Sequence, residues 1–152
     1  MLGRITFLRD SARLPLAEIA RPERPLELVV PYTHPALAAQ ALAAAAELAR
    51  GFEATLTLMA VHVLPYPTPL ECQDGIRERL EAELTTVART SPAAIRVKLV
   101  FARDCQDAYL GLLPRQSLVV IGARDRWWRT REVRLARRLT AAGHSVTLIK
   151  VK

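Results

Sequence analysis

From Leu26 onward the sequence alternates between short apolar runs rich in β-branched residues and longer segments with helical spacing. This alternation is typical of a parallel sheet whose strands are joined by crossover helices. We predict five strands, at residues 26–30, 54–63, 95–101, 118–121 and 145–151. Four helices are predicted between them, at residues 35–50, 71–89, 104–113 and 130–142. The expected fold is an open, mainly parallel five-stranded α/β sheet with helices on both faces.

Individual residues mark the ends of these elements. Pro35 suits the first turn of a helix, and Gly51 and Gly143 suit the left-handed position that ends one. Asp104 is a typical N-cap residue for the short third helix. Gly122 follows a continuous apolar run and is expected to end the fourth strand. The first helix is apolar on nearly every side, so we expect it to be well buried.

The length of the chain favours one domain. Its 152 residues, 51% of them apolar, can bury one substantial core, and little apolar surface would remain for a second. We assign residues 26–152 to this domain and residues 1–25 to an N-terminal arm, because prolines at positions 15, 22 and 25 interrupt regular structure there. Within the arm, Ile5, Phe7 and Leu8 could form a short strand.

Several classes of protein are disfavoured by the sequence. The longest apolar stretch, residues 35–46, is shorter than the ~20 residues that a membrane-spanning helix needs. The N-terminus lacks the apolar core of a secretory signal, so we expect a cytoplasmic protein. Cys72 and Cys105 are expected to be free thiols. No metal site is expected, because the histidines lie far apart: His34, His62 and His144.

The fold class predicts where a ligand would bind. In an open parallel sheet, ligands lie beyond the carboxyl ends of the strands, where successive connections diverge. If the first and fourth strands are neighbours, residues 31–34 and 122–125 face one crevice, beside the loop after Val63. Helix N-termini at this edge would add backbone donors for an anion. The net charge of +7 is consistent with an anionic small molecule as partner.

Two long segments resemble the universal stress proteins. LELVVPYTHPALAAQALAAAAELARGFEATLTLMAVHVLP is similar to the opening half of such a domain, and SLVVIGARDRWWRTREVRLARRLTAAGHSVTLIKV is similar to its closing half. The resemblance implies a Rossmann-like sheet with strand order 3-2-1-4-5. It also implies a homodimer formed through the fifth strand, and ATP binding in some members.

The nucleotide motif that this resemblance implies is incomplete. Thr33 stands where ATP-binding members carry an aspartate, and Gly122 matches the first glycine of their loop. Asp125 replaces the second glycine, where a carboxylate would repel a phosphate, and Leu135-Ala136 replaces the final pair. By the same resemblance, Val61 would line an adenine pocket; from its residue type alone it is a core valine.

Residues 124–131 combine two tryptophans with four arginines before the last helix. One interpretation is packing of a tryptophan on the domain or a dimer partner, beside a solvated arginine face. A second makes Arg124, Arg126 and Arg129 an anion receptor that replaces the glycine loop. A third assigns the segment to a membrane surface or, less favoured, to nucleic acid.

No catalytic motif is present in the sequence. His34 could act as an acid or base, although a surface or capping role needs fewer assumptions. We therefore predict a non-enzymatic stress-response or regulatory binding module without a resident cofactor. The alternatives are an accessory domain acting at a membrane surface or transporter, and a stress protein that binds ATP or another nucleotide. The candidate ligand-binding residues are Thr33, His34, Val61, Gly122, Arg124, Arg126 and Arg129.

Overall fold

The computed structural model describes the backbone of residues 5–8 and, in full, residues 26–71, 73–114, 117–124 and 130–151. Six strands and four helices lie within these ranges. In chain order they are β1 (Ile5–Leu8), β2 (Leu26–Pro31), α1 (Pro35–Ala49), β3 (Ala54–Val63), α2 (Asp74–Ala88), β4 (Ile95–Ala102), α3 (Cys105–Leu112), β5 (Leu118–Arg124), α4 (Arg131–Ala141) and β6 (Ser145–Val151).

The strands form one parallel sheet in the order β1-β6-β5-β2-β3-β4. The five predicted strands, β2 to β6, therefore have the predicted order 3-2-1-4-5, and the α/β fold class is confirmed. The structure adds a sixth strand to this prediction. The short strand suggested by Ile5, Phe7 and Leu8 is formed, and it lies in the sheet beside β6.

Successive side chains of each strand point to opposite faces of the sheet, so the core consists of two clusters, one on each face. The first cluster lies under α1 and α2 and includes Leu28, Val30, Leu42, Leu58, Leu84 and Val120. The second lies under α3 and α4 and includes Val29, Met59, Tyr109, Ile121, Leu139 and Leu148. The strands β2, β3 and β5 contribute to both clusters, as expected for central strands of a parallel sheet.

Helix α1 is buried on one face only. Leu37, Ala41 and Ala45 are buried against the sheet, whereas Ala43 and Glu47 are exposed. We expected a well-buried helix because its residues are apolar on nearly every side, but the burial is confined to the face towards the sheet. The physical reason is its composition, because alanines on the outer face expose little apolar surface even when nothing covers them. The helix is followed by Gly51 at φ +85°, as predicted.

Strand β5 extends further than predicted. Gly122 was expected to end it, but β5 continues to Arg124 and pairs there with Val151 of β6. A glycine can lie inside a strand where another backbone approaches closely. The end of β5 is therefore decided by its pairing with β6 and not by the glycine. Arg124 is consequently the last residue of a strand, and its side chain is exposed at the carboxyl edge of the sheet.

Thr57, in the centre of β3, has a buried hydroxyl with no hydrogen-bond partner among the described residues. A buried hydroxyl that makes no hydrogen bond is destabilising, and valine has nearly the same shape. We expect Thr57→Val to raise the free energy of unfolding by about 1 kcal/mol in urea denaturation. Thr55→Val, at a partly exposed position of the same strand, is the control and should have little effect. A loss of stability in Thr57→Val would contradict this account.

Candidate functional site

The predicted crevice lies where β2 and β5 separate. These neighbouring strands pair at only two positions, Leu28 with Leu118 and Val29 with Val119. Beyond Val29, β2 continues beside β3 as far as Pro31, and β5 continues beside β6 as far as Arg124. The two strands therefore diverge towards their carboxyl ends. This is the topological switch point at which open α/β sheets place their ligands.

Gly122 faces the first turn of α1 across this gap. A Cβ atom at Gly122 would lie 2.5 Å from the carbonyl oxygen of Leu37 and 3.1 Å from its carbonyl carbon. Both are backbone atoms of a helix and cannot move aside without shifting the helix. Gly122 thus allows α1 to lie directly on β5, and this packing role is sufficient to explain the glycine.

Arg124 lies on the same face of the sheet as Gly122, because residues two apart in a strand point to the same side. Helix α1 begins at that edge with Pro35, so Arg124 projects beside the start of the helix. Its side chain is exposed. The loop that contains Thr33 and His34 precedes α1 at the same edge.

The start of α1 offers few backbone donors to an anion. His34 is the N-cap, and its Nδ1 accepts a hydrogen bond from the Ala36 N–H at 3.2 Å. Pro35 has no N–H to offer. Among the first three residues of α1, only the N–H of Leu37 is present and not bonded to the His34 side chain. The His34 ring is therefore occupied as a capping group, the role that needs fewest assumptions.

Of the other three helices that begin at this edge, α3 and α4 have a side-chain cap and α2 has none. Asp104 Oδ1 accepts from the Asp107 N–H at 2.8 Å at the start of α3, and Thr130 Oγ1 accepts from the Val133 N–H at 3.4 Å at the start of α4. The Asp104 carboxylate would also repel an anion at its own helix. At α1, α3 and α4, one of the backbone donors that we expected to assist anion binding is thus accepted by a side chain.

On the opposite face of the sheet, Tyr109 of α3 fills the space below the carboxyl end of β2. The residue is 1% exposed, and its hydroxyl donates to the carbonyl oxygen of Met59 at 2.9 Å. The same carbonyl accepts from the Tyr32 N–H at 2.7 Å, which closes the β2–β3 ladder. Burial raises the pKa of Tyr109, so its hydroxyl remains a neutral donor. The sequence gives no signal that marks this tyrosine.

Val61 lies on this second face, apart from Gly122 and Arg124. It is partly buried and packs against the core cluster that contains Tyr109, with Cys105 close by. Burial raises the pKa of the Cys105 thiol; Arg131 opposes this shift, and Asp104 adds to it. A thiol with a raised pKa has less of the reactive thiolate at neutral pH.

The structure therefore groups only some of the predicted site residues. Gly122 and Arg124 of β5 share the face of the sheet that α1 covers, and Thr33 and His34 immediately precede α1. Val61 lies on the other face. Arg126 and Arg129 fall outside the described residues, as do both tryptophans of the 124–131 segment. Arg131, the last residue of that segment, is near enough to Cys105 to act on the pKa of its thiol.

The loop after β3 forms a second wall of this edge. Arg103 donates from Nη1 to the carbonyl oxygens of Leu64 at 3.1 Å and Pro65 at 3.0 Å. Its guanidinium also lies 4.1 Å from the ring centroid of Tyr66, which is 80% exposed. Arg103 thus fixes the loop to the end of β4, so one of the guanidinium groups near this edge already has a structural role.

A separate cleft of about 590 Å³ lies at the opposite, amino-terminal end of the sheet. Alanines of α1, Phe52 and residues 92–94 line it. It contains no titratable groups besides Glu47 and Arg50, which form an ion pair with each other at 3.3 Å. The cleft is mainly apolar and is distant from the switch point.

Among the residues that the structure describes, no cluster of three or more His, Cys, Asp or Glu side chains could hold a metal ion. None of the four described helices has the length and apolar character needed to cross a bilayer.

Comparison with known proteins identifies relatives by structure alone. No protein-family model matches the chain, and neither does any curated protein. A universal stress protein from Archaeoglobus fulgidus superposes with a TM-score of 0.55 at 22% identity, covering 81% of this chain and 92% of that one. A universal stress protein in complex with cAMP gives 0.56 at 16%, covering 84% and 98%. The Archaeoglobus fulgidus protein in complex with dAMP gives 0.51 at 19%, covering 84% and 98%.

These superpositions cover most of both chains. The chain therefore has the fold of the universal stress proteins, as the resemblance in the sequence implied. At 16–22% identity the similarity shows the fold alone.

The close contact at Gly122 makes a quantitative prediction. Gly122→Ala should lower the free energy of unfolding by about 1–3 kcal/mol, because the new methyl group overlaps the Leu37 backbone. Gly111→Ala in α3 is a matched control, since no atom lies within 4 Å of its added Cβ. It should leave stability unchanged or raise it by up to about 1 kcal/mol. Equal stabilities of the two variants in urea denaturation would contradict the packing role of Gly122.

Proposed function

We propose that this chain is a non-enzymatic, cytosolic stress-response or regulatory module that binds an anionic small molecule at the carboxyl edge of its sheet. A nucleotide is the preferred class of ligand. In this proposal arginine side chains hold the phosphate, in place of the glycine-rich loop that is incomplete in the sequence. Arg124 has the central role, together with Arg126 and Arg129, which follow it in the chain.

The observation that carries this proposal is the position of Arg124. It is exposed on the last residue of β5, on the face where α1 begins and beside the point where β2 and β5 diverge. At α1, α3 and α4, a side-chain cap accepts one N–H of the first turn, which reduces the backbone donors open to a phosphate. Guanidinium groups match the geometry of a phosphate with two parallel hydrogen bonds, so arginine can replace those donors.

The structural relatives supply the ligand class. Two proteins with this fold are in complex with cAMP and with dAMP. Each of these ligands combines a phosphate with an adenine ring. An adenine nucleotide is consequently the first probe for this chain, and binding of ATP in the manner of other stress proteins remains the alternative form of the proposal.

Isothermal titration with ATP, AMP and cAMP would test the proposal. Arg124→Ala should weaken nucleotide binding by roughly tenfold or more, because a charge-assisted hydrogen bond to phosphate is lost. Binding should also weaken as salt rises. Arg50→Ala is the control and should bind as the wild type does, since Arg50 lies at the far end of α1. Equal affinities of wild type and Arg124→Ala, or no binding of any of the three nucleotides, would refute the arginine receptor.

A second candidate function is an accessory role at a membrane surface or a transporter. The observation that favours it is the outer face of α4, where Arg131, Arg134, Arg137 and Arg138 are all exposed. This face continues the tryptophan-arginine segment of residues 124–131. Anionic lipid attracts arginine, and tryptophan favours the headgroup region.

Co-sedimentation with vesicles distinguishes this candidate from the nucleotide module. If it is correct, the chain binds phosphatidylserine vesicles but not phosphatidylcholine vesicles, and replacing Trp127 and Trp128 by alanine reduces binding to the anionic vesicles. The Phe52→Ala variant is the control, because Phe52 is an exposed aromatic residue at the opposite end of the sheet. Equal binding to the two kinds of vesicle would exclude the membrane role.

A further inference from the structure

Strand β4 ends the sheet on the side away from β1. It pairs in parallel with β3 along its whole length, from Leu56 with Ile95 to Val63 with Ala102. Among the described elements, β3 and α2 are the main neighbours of β4. No described strand lies on its other side, so the structure leaves the edge of an eight-residue strand open there.

A hydrogen bond at the carboxyl end of β4 shows which of its backbone groups are directed outward. The N–H of Leu64 donates to the carbonyl oxygen of Ala102 at 3.0 Å, so Ala102 directs its peptide groups towards β3. Successive residues of a strand direct these groups to opposite sides, and the even-numbered residues of β4 therefore bond to β3. The N–H and C=O groups open to a further strand belong to the odd-numbered residues: Ile95, Val97, Leu99 and Phe101.

The side chains of β4 divide by charge between the two faces of the sheet. Ile95, Val97 and Leu99 are partly buried against the core cluster under α1 and α2. Arg96 and Lys98 lie on the opposite face, where α3 packs mainly on β3, and both are exposed. Neither cation forms an ion pair with another residue that the structure describes. The open edge thus combines an apolar face with a cationic one.

The two cations decide which kind of strand can join this edge. Like charges opposite each other on neighbouring strands are destabilising, and charges on an edge strand disfavour pairing with an identical edge. If two copies paired in antiparallel fashion about Val97, each Arg96 would lie opposite a Lys98. A second copy is therefore disfavoured as the partner. A strand with carboxylates at the same two positions would form opposite-charge pairs, which stabilise a sheet.

We propose that the open edge of β4 binds an extended segment of a partner protein in which acidic and apolar residues alternate. In an antiparallel addition, the residue opposite Val97 exchanges both backbone hydrogen bonds with it, and the residues opposite Arg96 and Lys98 form non-hydrogen-bonded pairs. The Cα atoms of such pairs are only about 4.5 Å apart, so acidic side chains there reach the two cations.

The residue between the two acids would direct its side chain to the face covered by α2, beside Val97. The segment recognised is thus an acidic residue, an apolar residue and an acidic residue at consecutive positions. This partner site goes beyond the proposed ligand at the carboxyl edge, because it uses the lateral edge of the sheet and none of the same residues.

Synthetic peptides added to the full chain test the proposal. The probe is GTVEVEVTG with blocked termini, in which two glutamates flank a central valine. The control GTVKVKVTG reverses the charge, and the control GTVEPEVTG keeps the charge but has a proline, without an N–H, at the central position. An NMR titration should give saturable shifts along β4 with the probe, and roughly tenfold weaker binding or less with each control. Bound probe should also slow the hydrogen exchange of the Val97 and Leu99 N–H groups.

Charge reversal in the protein gives the reciprocal test. Arg96→Glu with Lys98→Glu should prefer the lysine peptide to the glutamate peptide, because the favoured charge opposite these positions is inverted. The matched control is Arg79→Glu with Arg137→Glu, which changes the net charge by the same amount at exposed positions of α2 and α4. This control should keep the preference of the wild type for the glutamate peptide.

Several results would overturn the proposal. These are no binding of the glutamate peptide to the wild type, equal binding of the proline peptide, and an unchanged peptide preference in the charge-reversed variant. Protection of the Val97 N–H that rises with protein concentration, without peptide, would identify a second copy as the partner and would also overturn it. If the charge-reversed variant fails to fold by circular dichroism, Lys98→Glu alone replaces it, and the comparison of the three peptides on the wild type needs no variant.

Discussion

The two-residue pairing between β2 and β5 is the constraint on which the rest of the structure depends. Leu28 with Leu118 and Val29 with Val119 join the strands that lie on either side of the switch point. All four side chains are essentially buried, and they supply both core clusters. Because the contact is so short, the carboxyl ends of β2 and β5 diverge, and α1 can lie in the gap against Gly122. The same short contact thus joins the core and creates the edge where a ligand could bind.

The chemistry of that edge differs from a site built on backbone amides. His34, Asp104 and Thr130 each cap the helix that follows them, and the hydrogen bonds that stabilise the helices are then no longer offered to a ligand. Side-chain cations are a further source of attraction for an anion, and Arg124 is exposed on the α1 side. A capping side chain and a phosphate would therefore accept hydrogen bonds from the same N–H groups in the first turn of a helix.

Much of the fold could be predicted from the sequence, because β2 to β6 are local apolar runs separated by helical segments with recognisable ends. The pairing of β1 with β6 could not, since nothing in four residues indicates a partner at the other end of the chain. The end of β5 was predicted too early because pairing with β6, and not the glycine itself, decides how far it extends. The burial of α1 was overestimated because alanines carry no polarity pattern that distinguishes an inner face from an outer one.

The candidate site was predictable only as a location. The switch point follows from strand order, but side-chain roles depend on contacts between distant segments. Tyr109 reaches Met59, 50 positions earlier in the chain, and Arg138 binds Asp107 at 2.6 Å from another helix. Neither contact follows from periodicity.

Strand β1 also has a consequence for the order in which the sheet can be completed. It is synthesised first, and its partner β6 follows about 140 residues later, so this is among the most non-local contacts of the fold. During translation the core strands β2 to β5 can assemble while β1 still has no strand to join. The pairing of β1 with β6 can consequently form only after β6 has been synthesised.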